Sequence, residues 1–182
     1  MGFTMGKPYF ATVDIALIGV FCALWATLNL TLGPLGFAWF GLPIFCDFAV
    51  FFTLLLATWA TGKFGTASLV GIIGSIIILL TRASPHIIGF AVSAILFDIL
   101  MSANHHKLSA KIYNMTIATL VTMASAYFAG IVIGFFFTNK SLDWTLTIWG
   151  GWHLIGGIIS LAITLPIIGI LEKANVRKIK GA

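Results

Sequence analysis

KIYNMTIATLVTMASAYFAGIVIGFFFT, residues 111–138, carries a single charged side chain, Lys111, at its very start. A helix of about 20 apolar residues crosses the hydrocarbon core of a bilayer, so this stretch is long enough to span with tilt or to protrude. Five further apolar stretches flank it, at 13–32, 43–61, 64–81, 84–102 and 145–171. Charged residues make up 8% of the 182-residue chain and hydrophobic residues 60%, and the mean hydropathy is +1.10. A soluble domain of this size cannot hide that much apolar surface. The fold class these runs predict is all-α: a polytopic integral membrane protein, one domain over residues 1–182, built as a bundle of six transmembrane helices. The runs are continuous, without the ten-residue alternation of a transmembrane barrel.

The punctuation between the runs sets the expected boundaries. Gly33-Pro34 is expected to end the first helix, followed by a Pro- and aromatic-rich connection over 35–47 with Trp39 and Pro43. Gly62-Lys63 makes a tight link, Arg82 stops the third helix, and Pro85 suits the first turn of the fourth. Residues 104–107 and 139–143 form polar loops. The first apolar stretch lacks a small-residue cleavage site and reads as a retained helix.

With six spans, both termini share a face with the second and fourth loops. That face holds Lys7, Lys63, Lys107, Lys111, Lys173, Arg177, Lys178 and Lys180, and the other only Arg82 and Lys140. Lys and Arg concentrate on the cytoplasmic side of membrane proteins, so both termini are expected in the cytoplasm, with the protein in the cell membrane. This charge marks topology and gives no reason to expect nucleic acid as a partner. No GxxxxGK[ST] phosphate loop occurs, so the chain has no Walker-type site of its own.

Small residues repeat on two helices. Ala16, Gly19, Ala23 and Ala26 form a smooth stripe on the first helix, which allows close approach of another helix, either within the bundle or from a separate membrane protein. Ala126, Gly130 and Gly134 repeat the spacing on the fifth helix, where packing inside the bundle is expected.

The face opposite the basic one collects aromatic and ionisable groups: Trp39, Asp47, Arg82, His86, Asn139, Asp143, Trp144, Trp149, Trp152 and His153. Tryptophans also gather in interfacial belts for purely structural reasons. Here three loops converge, each bringing such groups, and flat aromatic walls with a few polar groups suit a small heterocyclic ligand. Trp149-Gly150-Gly151-Trp152-His153 is the densest part of the cluster, with Gly156-Gly157 behind it. The expected ligand contacts are Asn29, Trp39, Arg82, His86, Trp149, Trp152 and His153.

Asp98 lies in an apolar run near the basic end, within reach of water or of Lys107 or Lys111, where a structural or docking role outweighs proton transfer. His105-His106 is expected in a solvated loop and is weak as a metal motif. No metal ligand set and no bound cofactor is expected. Cys22 and Cys46 form no CxxC motif. The three Asn-x-Ser/Thr matches, at Asn29, Asn114 and Asn139, read as chance.

The stretch from Ala16 to Gly36, ALIGVFCALWATLNLTLGPLG, resembles the first helix of substrate-binding S components of energy-coupling factor (ECF) transporters. The resemblance continues in the Pro-containing first loop and in Leu96-Phe97-Asp98. It implies a high-affinity binder for a vitamin or cofactor precursor, with an outward site built from helices 4–6 and covered by loops 1, 3 and 5. It also implies two kinds of partner: a transmembrane coupling protein and a pair of cytoplasmic ATPases. The family's Ala-xxx-Ala motif is represented here by Gly19-xxx-Ala23. Its nickel and cobalt members carry an early His, and this chain begins Met1-Gly-Phe-Thr-Met-Gly-Lys7 without one. A ring such as a pyrimidine, thiazole or flavin suits the tryptophans, whereas Arg82 and Lys140 suit a carboxylate or phosphate. The competing class is a non-transport membrane anchor or assembly subunit, which would use the stripe and need no cavity. A membrane enzyme is disfavoured, because Asp98 and His105 lie on one membrane face and His153 on the other.

Overall fold

The structure is a computed structural model and describes residues 8–176, so Lys7, Arg177, Lys178 and Lys180 of the charge pattern lie outside the described residues. Every regular element among the described residues is helical. The helices are α1 (Thr12–Phe40), α2 (Ile44–Thr61), α3 (Thr66–Arg82), α4 (Ile87–Ser102) and α5 (Ile112–Phe137). The last, α6, runs Leu142–Lys173. Four of them, α1, α2, α5 and α6, are long and apolar enough to cross a membrane. With 17 and 16 residues, α3 and α4 are shorter. At 1.5 Å per residue they reach roughly 25 Å, just under a hydrocarbon core of about 30 Å.

Spatial neighbours run α1–α2–α6–α5–α4–α3 and back to α1, and α2 also touches α3 and α5. This makes α2 the most buried of the four long helices. Large apolar side chains face outward around the bundle, among them Ile76, Leu80, Ile112, Leu120 and Phe136. Water would penalise such a surface and lipid would not. Inside, small residues set the spacing. A Cβ on Gly74 would stand 2.2 Å from the Trp25 ring, so α1 and α3 meet only because that position is glycine. On α5, Ala126 is buried, Gly130 lies against His153 and Gly134 against Thr145. The small-residue face expected to pack internally therefore packs on α6.

The first helix does not end at Gly33-Pro34. It continues through Pro34 to Phe40 and stops at Gly41, whose φ of 66° is left-handed. Proline removes only its own N–H bond to the preceding turn, a loss that neighbouring helices compensate in membrane proteins. Here the compensation is packing: a Cβ on Gly33 would stand 3.1 Å from Cys46 Sγ, and one on Gly36 3.2 Å from the Leu42 carbonyl. The start of α2 thus presses onto the end of α1, and the expected connection over 35–47 shortens to a few residues. The sixth helix also begins earlier than expected. Ser141 caps it, its Oγ accepting from the Trp144 N–H at 3.2 Å, and a π turn follows at Thr145–Trp149.

Three buried carboxylates each have a basic partner. In the first turn of α1, Asp14 accepts from the Ala11 N–H at 2.8 Å and pairs with Lys63 of the α2–α3 link. Asp98 of α4 accepts from the Ser68 N–H at 2.9 Å, the Ser68 hydroxyl at 2.7 Å and His106 Nε2 at 2.9 Å. This corrects two expectations: Asp98 pairs with neither Lys107 nor Lys111, and His106 is buried. The reason is local. His105 and His106 both adopt positive φ, 49° and 53°, which folds the α4–α5 loop back over the end of α4. The edge of Phe64 then closes on the His106 ring, with centroids 5.7 Å apart. Asp47 and His153 form the third pair, at the opposite end of the bundle.

Candidate functional site

The connections α1–α2, α3–α4 and α5–α6 meet at one end of the bundle, and a cavity of about 430 Å³ opens among them. That volume lies within the range of small-molecule sites, roughly 300–1,000 Å³. Most of the wall is apolar and aromatic. Phe37 comes from the end of α1, Pro43 and Cys46 from the start of α2, and Phe90 from α4. Ile133 and Phe137 come from α5. The polar groups are His86 in the α3–α4 connection, Thr138 after α5, and Trp149 and His153 on α6. The Thr138 hydroxyl already donates to the Gly134 carbonyl at 2.6 Å.

His153 is the centre of this wall. It is 1% exposed, and its Nδ1 lies 2.8 Å from Asp47 Oδ1. A carboxylate only accepts, so Nδ1–H is the donor. The imidazole ring sits between Phe90, at 5.6 Å between centroids, and the edge of Trp149, at 5.4 Å. Its Nε2 is buried without a hydrogen-bond partner, as is the indole nitrogen of Trp149. Room for the pair comes from two glycines. A Cβ on Gly156 would stand 2.5 Å from Asp47 Cβ, and one on Gly130 2.9 Å from His153 Cβ. Asp47 also lies in the first turn of α2, where the helix dipole favours negative charge.

His86 stands partly buried in the α3–α4 connection. Burial pushes its imidazole below the ordinary value of 6.5, and the positive charges of Arg82 and His153 act in the same direction. At neutral pH it is therefore an uncharged polar group.

The residues singled out in the sequence divide. His86, Trp149 and His153 line the cavity. Asn29 is buried outside the lining, its Oδ1 and the Cys46 Sγ both beside Gly33. Arg82 ends α3 and acts on His86 electrostatically without lining the cavity. Trp152 lies on α6 outside the lining. Trp39 is in the last turn of α1 and 66% exposed, packed edge-on against Phe40, and does not cover the cavity. The continuation of α1 past Pro34 is what carries Trp39 away. Asp47 was visible as one of the polar residues of that face, but its pairing with His153 was not. On the other side of Trp149 the Trp144 ring stacks at 5.5 Å, extending the aromatic wall toward the surface.

Ala16, Gly19 and Ala23 of the α1 stripe are exposed, whereas Ala26 is buried. A Cβ on Gly19 would meet nothing within 4 Å. The stripe is thus open along its first two turns and closed by the bundle above them. Among the described residues, no three His, Cys, Asp or Glu side chains converge in a metal-binding group.

No family model, curated protein or solved structure matches the chain.

Proposed function

We propose that this protein is the substrate-binding membrane subunit of an ECF-type transporter, capturing a vitamin or cofactor precursor from outside the cell. The observation that carries the reading is the aromatic cavity of about 430 Å³ where the three connections of one bundle end meet. A plain anchor has no need of such a cavity. In this reading six helices span the membrane, and the sparse-charge end with Arg82 and Lys140 faces outward. His86, Trp149 and His153 contact the ligand, and Asn29 lies buried near Cys46, outside the lining. Arg82, Trp39 and Trp152 stand around the site and approach only if the loops close on cargo.

The chain carries no nucleotide-binding loop of its own, so energy comes from partners: a transmembrane coupling protein and cytoplasmic ATPases. Ala16, Gly19 and Ala23 form the open, smooth part of α1 on which a coupling protein would dock, since small side chains let backbones approach closely. Ala26, being buried, drops out of that surface.

The test is uptake. Cells expressing this chain together with a coupling module should accumulate the compound that copurifies with the protein, and cells lacking either part should not. Accumulation that is independent of the module, or a copurified compound that is never taken up, would overturn the transport reading.

A further inference from the structure

We infer that a second cavity, at the basic end of the bundle, is a binding site for the phosphate of an anionic phospholipid headgroup. The inference is separate from the transport reading and needs only that the helices lie in a bilayer.

The α4–α5 loop and the first turn of α5 enclose a cavity of about 470 Å³, lined among others by His106, Lys107, Ser109, Lys111 and Asn114. The loop is held by its own side chains. Asn104 Nδ2 donates to the Lys107 carbonyl at 2.7 Å and to Asn114 Oδ1 at 3.1 Å. Asn114 Nδ2 donates in turn to Ser109 Oγ at 2.6 Å. His106 Nε2 lies 2.9 Å from the Asp98 carboxylate and 3.0 Å from its backbone carbonyl. Both oxygens only accept, so Nε2–H is the donor. These bonds fix the wall before any ligand arrives, which lowers the ordering cost of binding.

What they leave over is a set of donors. Lys107 and Lys111 are exposed, and neither pairs with a carboxylate among the described residues. Ser109 Oγ accepts from Asn114 and keeps its own O–H to donate. No side chain caps the N-terminus of α5, so the first amides of that helix keep donor capacity at the positive end of its dipole. No Asp or Glu lines the cavity. The carboxylate that meets the loop, Glu172, accepts from the Ala110 N–H at 2.8 Å and the Trp59 indole at 3.3 Å. Asp98 is taken up by His106 and Ser68. Two ammonium groups, a hydroxyl and a helix N-terminus around one space are complementary to an anion with several oxygens, and a phosphate accepts from all of them at once.

The surface beside the cavity favours a lipid over a soluble phosphate. Ile112 and Tyr113 follow Lys111 directly and are 81% and 66% exposed. A molecule held by its phosphate at Lys111 lays its acyl chains against them, whereas a free phosphate gains nothing from that surface. Basic pockets at the membrane ends of helices are suited to acidic headgroups for the same reason.

Native mass spectrometry of the full-length protein in a neutral detergent counts the lipid it retains. The probes are dioctanoyl-phosphatidylglycerol, the zwitterionic dioctanoyl-phosphatidylcholine, and inorganic phosphate at matched ionic strength. A basic side chain beside an acidic headgroup is worth roughly fivefold in affinity. The wild type should therefore retain phosphatidylglycerol at least about fivefold better than phosphatidylcholine, and inorganic phosphate at equal concentration should not displace it. Lys107→Gln and Lys111→Gln should each lower phosphatidylglycerol retention roughly fivefold and leave phosphatidylcholine unchanged. Both lysines are exposed, so these variants should melt like the wild type, and Lys111→Arg should keep the preference. Lys140→Gln makes the same change in net charge at the other end of the bundle and should leave retention as it was. Equal retention of the two lipids, an equal loss in Lys140→Gln, or displacement by inorganic phosphate would each overturn the lipid assignment. So would unchanged retention in the Lys107 and Lys111 variants with lost binding of a coupling protein, which would give the cavity to a protein carboxylate.

Discussion

Asp47 Oδ1 and His153 Nδ1 lie 2.8 Å apart, although 106 residues separate them in the chain. The bond ties the first turn of α2 to α6, and both side chains are buried. Removing one partner of such a buried pair typically costs about 3–5 kcal/mol, because the other is left without compensation. The pair therefore serves the bundle as well as the cavity, and variants that disturb it must be judged by stability and binding together.

Gly156 tests the packing that makes room for this pair. A methyl group there would stand 2.5 Å from Asp47 Cβ and 2.9 Å from its Oδ2. Gly156→Ala should destabilise by roughly 1–3 kcal/mol, the usual cost of overpacking. Gly151→Ala, with nothing within 4 Å, should leave stability unchanged or raise it slightly through helix propensity. Thermal melting in one detergent compares the two; equal melting temperatures would contradict the close α2–α6 contact.

His86 gives the protein a pH dependence of known sign. Its folded-state affinity for a proton is depressed below the ordinary value of 6.5, chiefly by burial and then by Arg82 and His153. The unfolded chain therefore takes up the proton first as pH falls. The stability present above 6.5 is lost on acidification below it. The melting temperature should drop from neutral pH into that window, and His86→Gln should drop less. Identical pH profiles of the two proteins would contradict the assignment.

The open part of the α1 stripe separates docking from folding. Gly19→Leu and Ala23→Leu point away from the bundle, so ligand binding by the isolated protein should survive. Uptake with the coupling module should fall at least tenfold, since a bulky side chain blocks close helix approach. Joint loss of binding and uptake would show that the stripe packs within this protein.

Orientation follows from chemistry at the loops. Cys22 and Cys46 are both buried, so a cysteine-free background retains its surface. Cysteine at position 140 should react with a membrane-impermeant maleimide added to whole cells, and cysteine at 107 only after permeabilisation. Labelling at 107 from outside would invert the topology.

Much of the helical layout was legible because a bilayer tolerates so few charges. The long apolar runs at α1, α2, α5 and α6 are helices long and apolar enough to cross a membrane, and the Ala126, Gly130 and Gly134 spacing pointed to the face that packs on α6. Pro34 misled, because a helix boundary drawn from local propensity ignores the support that α2 gives to the last turns of α1. The same boundary put Trp39 in a loop, whereas it lies in the last turn of α1. His106 looked solvated because burial of a loop histidine depends on Asp98 and Ser68, a tertiary arrangement without local trace. Three cavity residues, His86, Trp149 and His153, were legible as polar or aromatic groups in an otherwise apolar chain. Asp47 was noticed for the same reason, but its partner was not, because nothing local in the sequence relates positions 47 and 153.

The central claim is that the cavity holds a small molecule. Mass spectrometry of compounds released on denaturation tests it most directly, comparing the wild type with Thr138→Trp, which fills the cavity from a half-buried position whose hydroxyl serves only its own helix end. With both proteins melting alike, the wild type should release one heteroaromatic compound in near-stoichiometric amount and Thr138→Trp should release none. Identical profiles from the two proteins would contradict the account.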